Sequence, residues 1–258
     1  MIRDITIGQY YPAESVIHRL DPRVKLVGTL TFIISLFLHR SFLMYLVAAI
    51  FLAGVIKASK VPFHFMIKGL KAIMVLLLIT VVFNMFLTPG TPLLKIWKLT
   101  LTVEGVRQAA FMAIRLAFLI VGSSVMTLTT TPNHLTDGLE KGLAPLNKIH
   151  VPVHEVSMMM SIALRFIPIL LEETDKIMKA QEARGADFDS GNLIQKAKSL
   201  VPLLVPLFIS AFRRANDLAM AMEARGYRGG EGRTKMKPLI YQKRDRMAYG
   251  VLLGYLAV

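Results

Sequence analysis

Cysteine is absent from this 258-residue chain, and charged residues make up only 19% of it. Without cysteine, a disulfide framework, a thiolate metal site and a cysteine nucleophile are all excluded. An ordinary soluble domain carries roughly 25% charged residues. Here 54% of the residues are hydrophobic, and the mean hydropathy is +0.52. The composition therefore predicts a chain that is partly dissolved in lipid.

Acidic residues are also few, with 17 Asp and Glu against 31 Lys and Arg, for a formal net charge of +14. A basic excess can indicate nucleic-acid binding. In so apolar a chain it indicates cytoplasmic loops rich in positive charge instead, so we expect a lipid bilayer and no nucleic acid as partner. The phosphate-binding pattern Gly-x-x-x-x-Gly-Lys-Ser/Thr is missing, so any ATP would be hydrolysed by another chain. No cofactor is expected.

Long apolar runs predict the membrane-spanning helices. Leu26–Ile56 is interrupted only by His39–Ser41, and its 31 residues would form a helix about 46 Å long, too long for one crossing of a ~30 Å core. We therefore expect a helical hairpin with its tip at His39–Ser41. Ala72–Thr88 and Val106–Thr131 predict two more spans. The last run, Met247–Val258, has only 12 residues, so we expect it to include residues before Met247 or to continue in a longer natural chain.

The distribution of Lys and Arg predicts the orientation. With the N-terminus inside, eight Lys or Arg precede residue 131 on the inner side and three on the outer side, as the positive-inside rule favours. The predicted fold class is an all-α membrane protein with about five transmembrane helices plus long cytoplasmic or interfacial helices. We divide it into a membrane domain of four spans (1–131), a cytoplasmic domain (132–245) and a final span (246–258).

Two apolar segments lie within the predicted cytoplasmic domain. Val156–Leu171 and Leu200–Phe212 contain prolines and continue directly into charged sequence. Helices that are half apolar and half charged are typical of the membrane interface or of packing against other intramembrane protein. The alternative is that these segments are two further, short spans.

A helix end occurs twice. Lys179–Gly185 and Met220–Gly226 both finish with Glu-Ala-Arg-Gly, 41 residues apart. A glycine that closes a helix and a cation in its last turn are ordinary features of a helix C-terminus. A repeated, sterically open arginine would also suit a carboxylate- or carbonyl-lined groove on a partner protein.

These repeated ends resemble the paired Ala-Arg-Gly coupling motifs of the transmembrane T components (EcfT) of energy-coupling factor transporters. Ser15–Leu26 is similar to the N-terminal segment of that family, with Asp21 as helix N-cap and Pro22 at the first helical position. Arg115 in the fourth span and Leu164–Pro168 also match. The likeness covers nearly the whole chain.

The resemblance implies a non-catalytic subunit in a bacterial cell membrane. Two cytoplasmic ABC ATPases would bind it, and a separate small membrane protein, the S component, would capture a vitamin or metal ion. It implies ATPase binding by Ala183, Arg184, Gly185, Ala224, Arg225 and Gly226. The apolar halves of the same helices would hold the S component, with Met158, Met159, Leu204 and Phe208 as candidate contacts.

Arg115, two histidines and two other classes of membrane protein were also considered as indications of function. Arg115 lies in the middle of a span, where a charge is costly unless paired; it is either functional or bonded to Asn84 or to carbonyl groups of neighbouring helices. His150 and His154 flank a proline and lack a metalloprotease order, so no metal site is expected. A membrane-embedded enzyme would need a cluster of catalytic side chains that the spans lack. The permease of a conventional ABC importer usually has one coupling helix, not two.

Single-cysteine labelling tests the predicted topology cleanly because the chain has no cysteine of its own. Cysteine placed at Ser41 or Thr91 should react with a membrane-impermeant reagent from outside, and cysteine at Ser59 or Ser190 only from inside. External labelling at Ser190 would show that one of the two apolar cytoplasmic segments crosses the membrane.

Overall fold

The computed structural model describes residues 10–38, 41–96, 99–186, 188, 192–230, 236 and 238–257. Within these ranges helices dominate, with one short hairpin and one 3-10 helix, Ala144–Ile149. The helices are α1 Pro22–Leu38, α2 Phe42–Ser59, α3 Phe63–Leu87, α4 Val103–Thr129, α5 Pro132–Leu143, α6 Val153–Ala183, α7 Leu193–Ser199, α8 Val201–Ala224 and α9 Lys243–Leu256, and the strands are β1 Pro92–Ile96 and β2 Leu99–Thr102.

The all-α membrane class is confirmed. The first apolar run is split into α1 and α2 on either side of the predicted tip, of which His39 and Arg40 lie outside the described residues. The last helix begins at Lys243, so it does include residues before Met247. The antiparallel hairpin β1–β2 was not predicted. It follows the helix break at Pro89–Gly90, and the two threonines of β2 favour extended chain.

By length and composition, three helices within the described residues could cross a membrane: α2, α4 and α6. The apolar part of α3, Ile73–Leu87, is shorter than a full span. Because α6 is one of these three helices, its length and composition agree with the alternative that the apolar segment Val156–Leu171 crosses the membrane. Its second half carries charged residues, beginning with Glu172 and Glu173, which favours the interfacial arrangement for that half.

The chain divides into two compact units. One comprises Leu143–Pro238, and the other comprises the described part of Gly8–Gly142 together with Leu239 onward. The second unit therefore contains α1 to α5 and α9, and the first contains α6, α7 and α8. The functional boundaries 1–131, 132–245 and 246–258 were drawn by position relative to the membrane and stay a prediction.

The core of the unit that contains α1 to α4 is apolar and aromatic. Gly122 of α4 lies against Phe32 of α1, and a Cβ at position 122 would be 2.8 Å from the Phe32 ring. Small residues allow such close approach of helices where lipid provides no hydrophobic force between them. Around this contact are buried Phe32, Leu36, Tyr45, Ala48, Leu52, Val61, Met66, Val121, Val125 and Leu128.

A buried carboxylate joins the beginnings of α1 and α9. Asp245 is 1% exposed and accepts hydrogen bonds from the backbone N–H of Asp21 at 2.9 Å and of Gln242 at 2.7 Å. Asp21 is the N-cap of α1, as predicted, because its Oδ1 accepts the N–H of Arg23 at 2.9 Å. Burial alone would raise the pKa of Asp21, but hydrogen bonds from Arg23 and its charge outweigh burial and hold that pKa below its ordinary value.

Replacing Asp245 should destabilise this unit. In Asp245→Asn the amide oxygen can accept one N–H while the amide nitrogen faces the other, so a buried donor loses its acceptor at a cost of about 1–3 kcal/mol. We expect a lower apparent melting temperature in detergent. Asp217→Asn, which changes an exposed acid of α8, is the matched control and should leave the melting temperature unchanged. Equal melting curves for both variants would contradict the structural role of Asp245.

Candidate functional site: two arginine-tipped helices

Helix α6 ends in a backbone-bonded C-cap. The N–H of Ala186 donates to the carbonyl oxygen of Gln181 at 3.0 Å, and the N–H of Gly185 donates to that of Glu182 at 2.9 Å. Arg184 is the C-cap residue, and Gly185 adopts a positive φ of 90°. These are the two hydrogen bonds of a Schellman motif.

Helix α8 ends in the same way. The N–H of Tyr227 donates to the carbonyl oxygen of Met222 at 3.0 Å, and the N–H of Gly226 donates to that of Glu223 at 2.8 Å. Arg225 is the C-cap residue, and Gly226 has a φ of 72°. The repeated sequence is therefore also a repeated structure.

The two glycines are required by backbone conformation and not by space. A Cβ built on Gly185 or Gly226 would meet no atom within 4 Å. Only the left-handed backbone disfavours a side chain at these positions. Open space next to each arginine leaves room for another protein to approach the helix end.

Arg184 and Arg225 are both exposed. Neither guanidinium forms an ion pair with any residue in the described part of the chain. The backbone bonds already satisfy at least two carbonyl groups in the last turn of each helix, so closure of the helix does not need either side chain. A cation there still interacts favourably with the helix dipole, by about 0.3–1 kcal/mol.

Helices α6 and α8 run antiparallel within their unit. Glu173 accepts hydrogen bonds from Ser210 at 2.5 Å and from the Nη2 of Arg214 at 2.6 Å. Eight residues further along α6, the Nε2 of Gln181 donates to the carbonyl oxygen of Pro202 at 3.4 Å. Because the partner numbers fall as the α6 numbers rise, the chains run in opposite directions.

The antiparallel arrangement separates the two arginines. Gln181 contacts the start of α8, so Arg184 lies near that end, while Arg225 follows the other end of α8. Residues 202 to 225 of a helix rise on the order of 30 Å. The pair therefore presents one exposed arginine at each end, instead of two side by side.

A proline strengthens the contact at the Arg184 end. Pro206 lies inside α8 and has no N–H to donate to the carbonyl group four residues earlier. That carbonyl belongs to Pro202, and it is the acceptor of the Gln181 side chain. The amide of Gln181 thus satisfies a group that the proline left open, next to the C-cap of α6.

The candidate S-component contacts fall into two separate places. Leu204 and Phe208 are 48% and 63% exposed and lie one turn apart along one face of α8, with Phe212 a further turn along. This face lines an apolar groove of about 500 Å³. Met159 is 58% exposed, and Met158 is half-buried. Both lie near the start of α6, which faces the opposite end of α8, so the four residues do not form one cluster.

Arg115 lies inside the other unit and is bonded there. Its Nε donates to the hydroxyl of Tyr45 at 2.9 Å, and that hydroxyl donates to the carbonyl oxygen of Leu36 at 3.1 Å. Its guanidinium carbon is 5.3 Å from the centre of the Phe37 ring. Asn84, the partner considered from the sequence, donates to a carbonyl oxygen of its own helix instead. The arrangement joins α4 to α1 and α2.

Glu173, Gln181 and Arg214 were not among the functional residues predicted from the sequence. Each is one of several charged or amide residues on its helix, so composition did not distinguish them. The available signal was Pro206, because a proline inside a helix frees a specific carbonyl group and so indicates where a donor is needed.

Comparison with known proteins agrees with the resemblance. The family model described as Cobalt transport protein (CbiQ) matches residues 13–236. The chain is 61% identical over 251 residues to the energy-coupling factor transporter transmembrane protein EcfT of Clostridium kluyveri, covering 96% of this chain and 93% of that protein. It is 54% identical over 257 residues to the EcfT of Thermosediminibacter oceani, covering 100% and 97%. It is 48% identical over 246 residues to that of Bacillus subtilis, covering 95% and 93%.

These matches extend over both compact units and include both arginine-tipped helix ends. The family that the sequence resembled is therefore confirmed, and the apolar helices agree with a transport protein of the membrane. The chain belongs to the CbiQ family, among the energy-coupling factor transporter transmembrane proteins EcfT.

Proposed function

We propose that this chain is the coupling subunit of an energy-coupling factor transporter in a bacterial cell membrane. It links ATP hydrolysis by two cytoplasmic ABC ATPases to reorientation of an S component that carries a vitamin or metal ion. The chain itself catalyses no reaction. Its N-terminus and the domain 132–245 lie in the cytoplasm, where the ATPases are reached.

The observation that carries this proposal is the pair of equivalent arginines at opposite ends of one antiparallel helix pair. Two sites of the same chemistry, separated on the order of 30 Å, fit two copies of one kind of partner better than one partner. Ala183 and Gly185, like Ala224 and Gly226, leave the guanidinium between them accessible. A planar fork of donors is suited to a groove with carboxylate or carbonyl acceptors.

The bond between Glu173 and Arg214 explains how movement would pass between the two ends. This ion pair is partly exposed, with side-chain exposures of 39% for Arg214 and 22% for Glu173, so its net contribution to stability is modest. With Ser210 and the Gln181 contact it fixes α6 against α8 at two levels. ATPases that approach each other would therefore displace the helix pair as one body.

The apolar face of α8 is the stronger candidate for the S component. Leu204, Phe208 and Phe212 expose a continuous apolar surface within one groove, and exposed patches of this kind mark interaction sites. Met158 and Met159 would provide a second, separate contact on α6. Displacement of the helix pair by the ATPases would then move both contacts and reorient the S component.

The arginine substitutions separate coupling from capping. If each arginine inserts into an ATPase groove, Arg184→Ala and Arg225→Ala should each reduce binding by about 2–5 kcal/mol, because acceptors in the groove are left unpaired. Lys should substitute poorly, since it lacks the planar donor pair. The measurements are ATPase pull-down and ATP-driven uptake in reconstituted vesicles, for Ala and Lys at both positions.

Lys179→Ala is the matched control, because Lys179 is an exposed cation one turn before Arg184. It should leave ATPase binding unchanged. Normal binding and transport by the double variant Arg184→Ala, Arg225→Ala would refute the coupling role and leave both motifs as ordinary helix ends.

The S-component contacts can be tested independently. Met159→Glu and Leu204→Glu place a charge on an apolar contact, and each should weaken co-purification of the S component while the ATPases stay bound. Ile194→Glu on α7 changes a still more exposed apolar residue, 72% exposed, and should have no effect. Loss of the S component in the Ile194 variant, or loss of both partners in the other two, would argue against a specific contact.

A further inference from the structure

A second groove lies in the unit that contains α1 to α5 and α9. Its volume is about 370 Å³, and residues of α1, α2, α4 and α9 line it. Most of the lining is apolar, with Phe32, Val55, Val125 and Val251 among the contributing side chains. A volume of this size lies in the range of ligand sites, roughly 300–1,000 Å³.

Two glycines help to keep this groove open. A Cβ built on Gly28 of α1 or on Gly54 of α2 would meet no atom within 4 Å. Both residues line the groove, and neither has a positive φ. Neither backbone strain nor close helix contact therefore accounts for a glycine at these positions, whereas space in the groove does.

One end of the groove is cationic. Lys25 and Arg244 are the two charged residues that line it. The Nζ of Lys25 is already occupied, because it donates to the carbonyl oxygens of Thr129 at 2.8 Å and of His18 at 3.2 Å. The Nε of Arg244 is buried, and it has no hydrogen-bond partner among the described residues.

The acids nearest in sequence do not neutralise Arg244. Both carboxylate oxygens of Asp245 accept backbone N–H groups, and the carboxylate of Asp21 is paired with Arg23 at 2.8 Å. Arg244 is also in the first turn of α9, where a cation opposes the helix dipole. Helix stability therefore does not explain an arginine at this position, whereas binding of an anionic ligand would explain it.

We propose that this groove binds an anionic phospholipid, with an acyl chain between α1, α2, α4 and α9 and the phosphate at Arg244. The apolar lining of the groove suits the acyl chain of a phospholipid, and the cation at one end suits its phosphate. In the predicted orientation Arg244 lies at the cytoplasmic side, where the leaflet is negatively charged and basic pockets between helices bind lipid head groups. None of the residues that line this groove belongs to the proposed ATPase or S-component contacts.

Native mass spectrometry of the full chain in detergent tests the proposal. Phosphatidylglycerol and phosphatidylcholine with the same acyl chains are offered in equal amounts. The wild-type chain should retain phosphatidylglycerol preferentially, and Arg244→Gln should reduce its retention about tenfold, because the phosphate loses charge-assisted hydrogen bonds. Lys243→Gln is the matched control, since Lys243 is an exposed cation next to Arg244, and should change retention less than about twofold.

Two further measurements distinguish a lipid from a free anion. Gly54→Leu fills the groove without touching the cationic end, and should reduce retention of both lipids. Excess inorganic phosphate should not displace phosphatidylglycerol, because it makes no use of the apolar groove. Equal retention of the two lipids by the wild-type chain, equal losses in the Arg244 and Lys243 variants, or displacement by phosphate would each overturn the proposal. Elution as a single species in gel filtration verifies that each variant is folded.

Discussion

The arrangement of the two arginine-tipped helices depends on their register, which is defined by polar contacts between α6 and α8. By accepting bonds from Ser210 and Arg214, the carboxylate of Glu173 sets the register of α6 on α8. Near the end of α6, the hydrogen bond from Gln181 to the carbonyl oxygen of Pro202, which Pro206 leaves without a helix donor, defines the same register. Without a fixed register, two exposed arginines on long helices would have no defined separation. Their use as a pair therefore depends on polar contacts that neither arginine makes.

Closure of the helices by backbone bonds leaves the arginines available. Gly185 and Gly226 take the left-handed conformation, and their N–H groups, with those of Ala186 and Tyr227, satisfy carbonyl groups in the last turns of α6 and α8. If the arginine side chain were needed to cap its own helix, binding to a partner would remove that cap and destabilise the helix. Here glycine closes each helix, and the arginine beside it is accessible for binding.

Two polar groups in the other unit form contacts between its helices. Asp245 joins the starts of α1 and α9, and Arg115 joins α4 to α2 through Tyr45. Buried polar groups in a membrane protein need internal partners because lipid offers none. The buried Nε of Arg244 lacks a partner among the described residues, and Arg244 also lines an apolar groove. The unpaired Nε and the position in the groove together make Arg244 a candidate for binding an anion.

The sequence by itself determined the membrane class, the division of the first apolar run into α1 and α2, the N-cap at Asp21 and both arginine-tipped helix ends. Each of these depends on local composition or on hydrogen bonds between residues close in the chain. Only the tertiary structure decided that α6 and α8 are antiparallel, that Arg184 and Arg225 lie at opposite ends, and that Met159 is far from Leu204. It also selected Tyr45 as the partner of Arg115 and brought Arg244 to the groove. These features depend on contacts between segments distant in sequence, and a helix pattern defines an apolar face without specifying what packs against it.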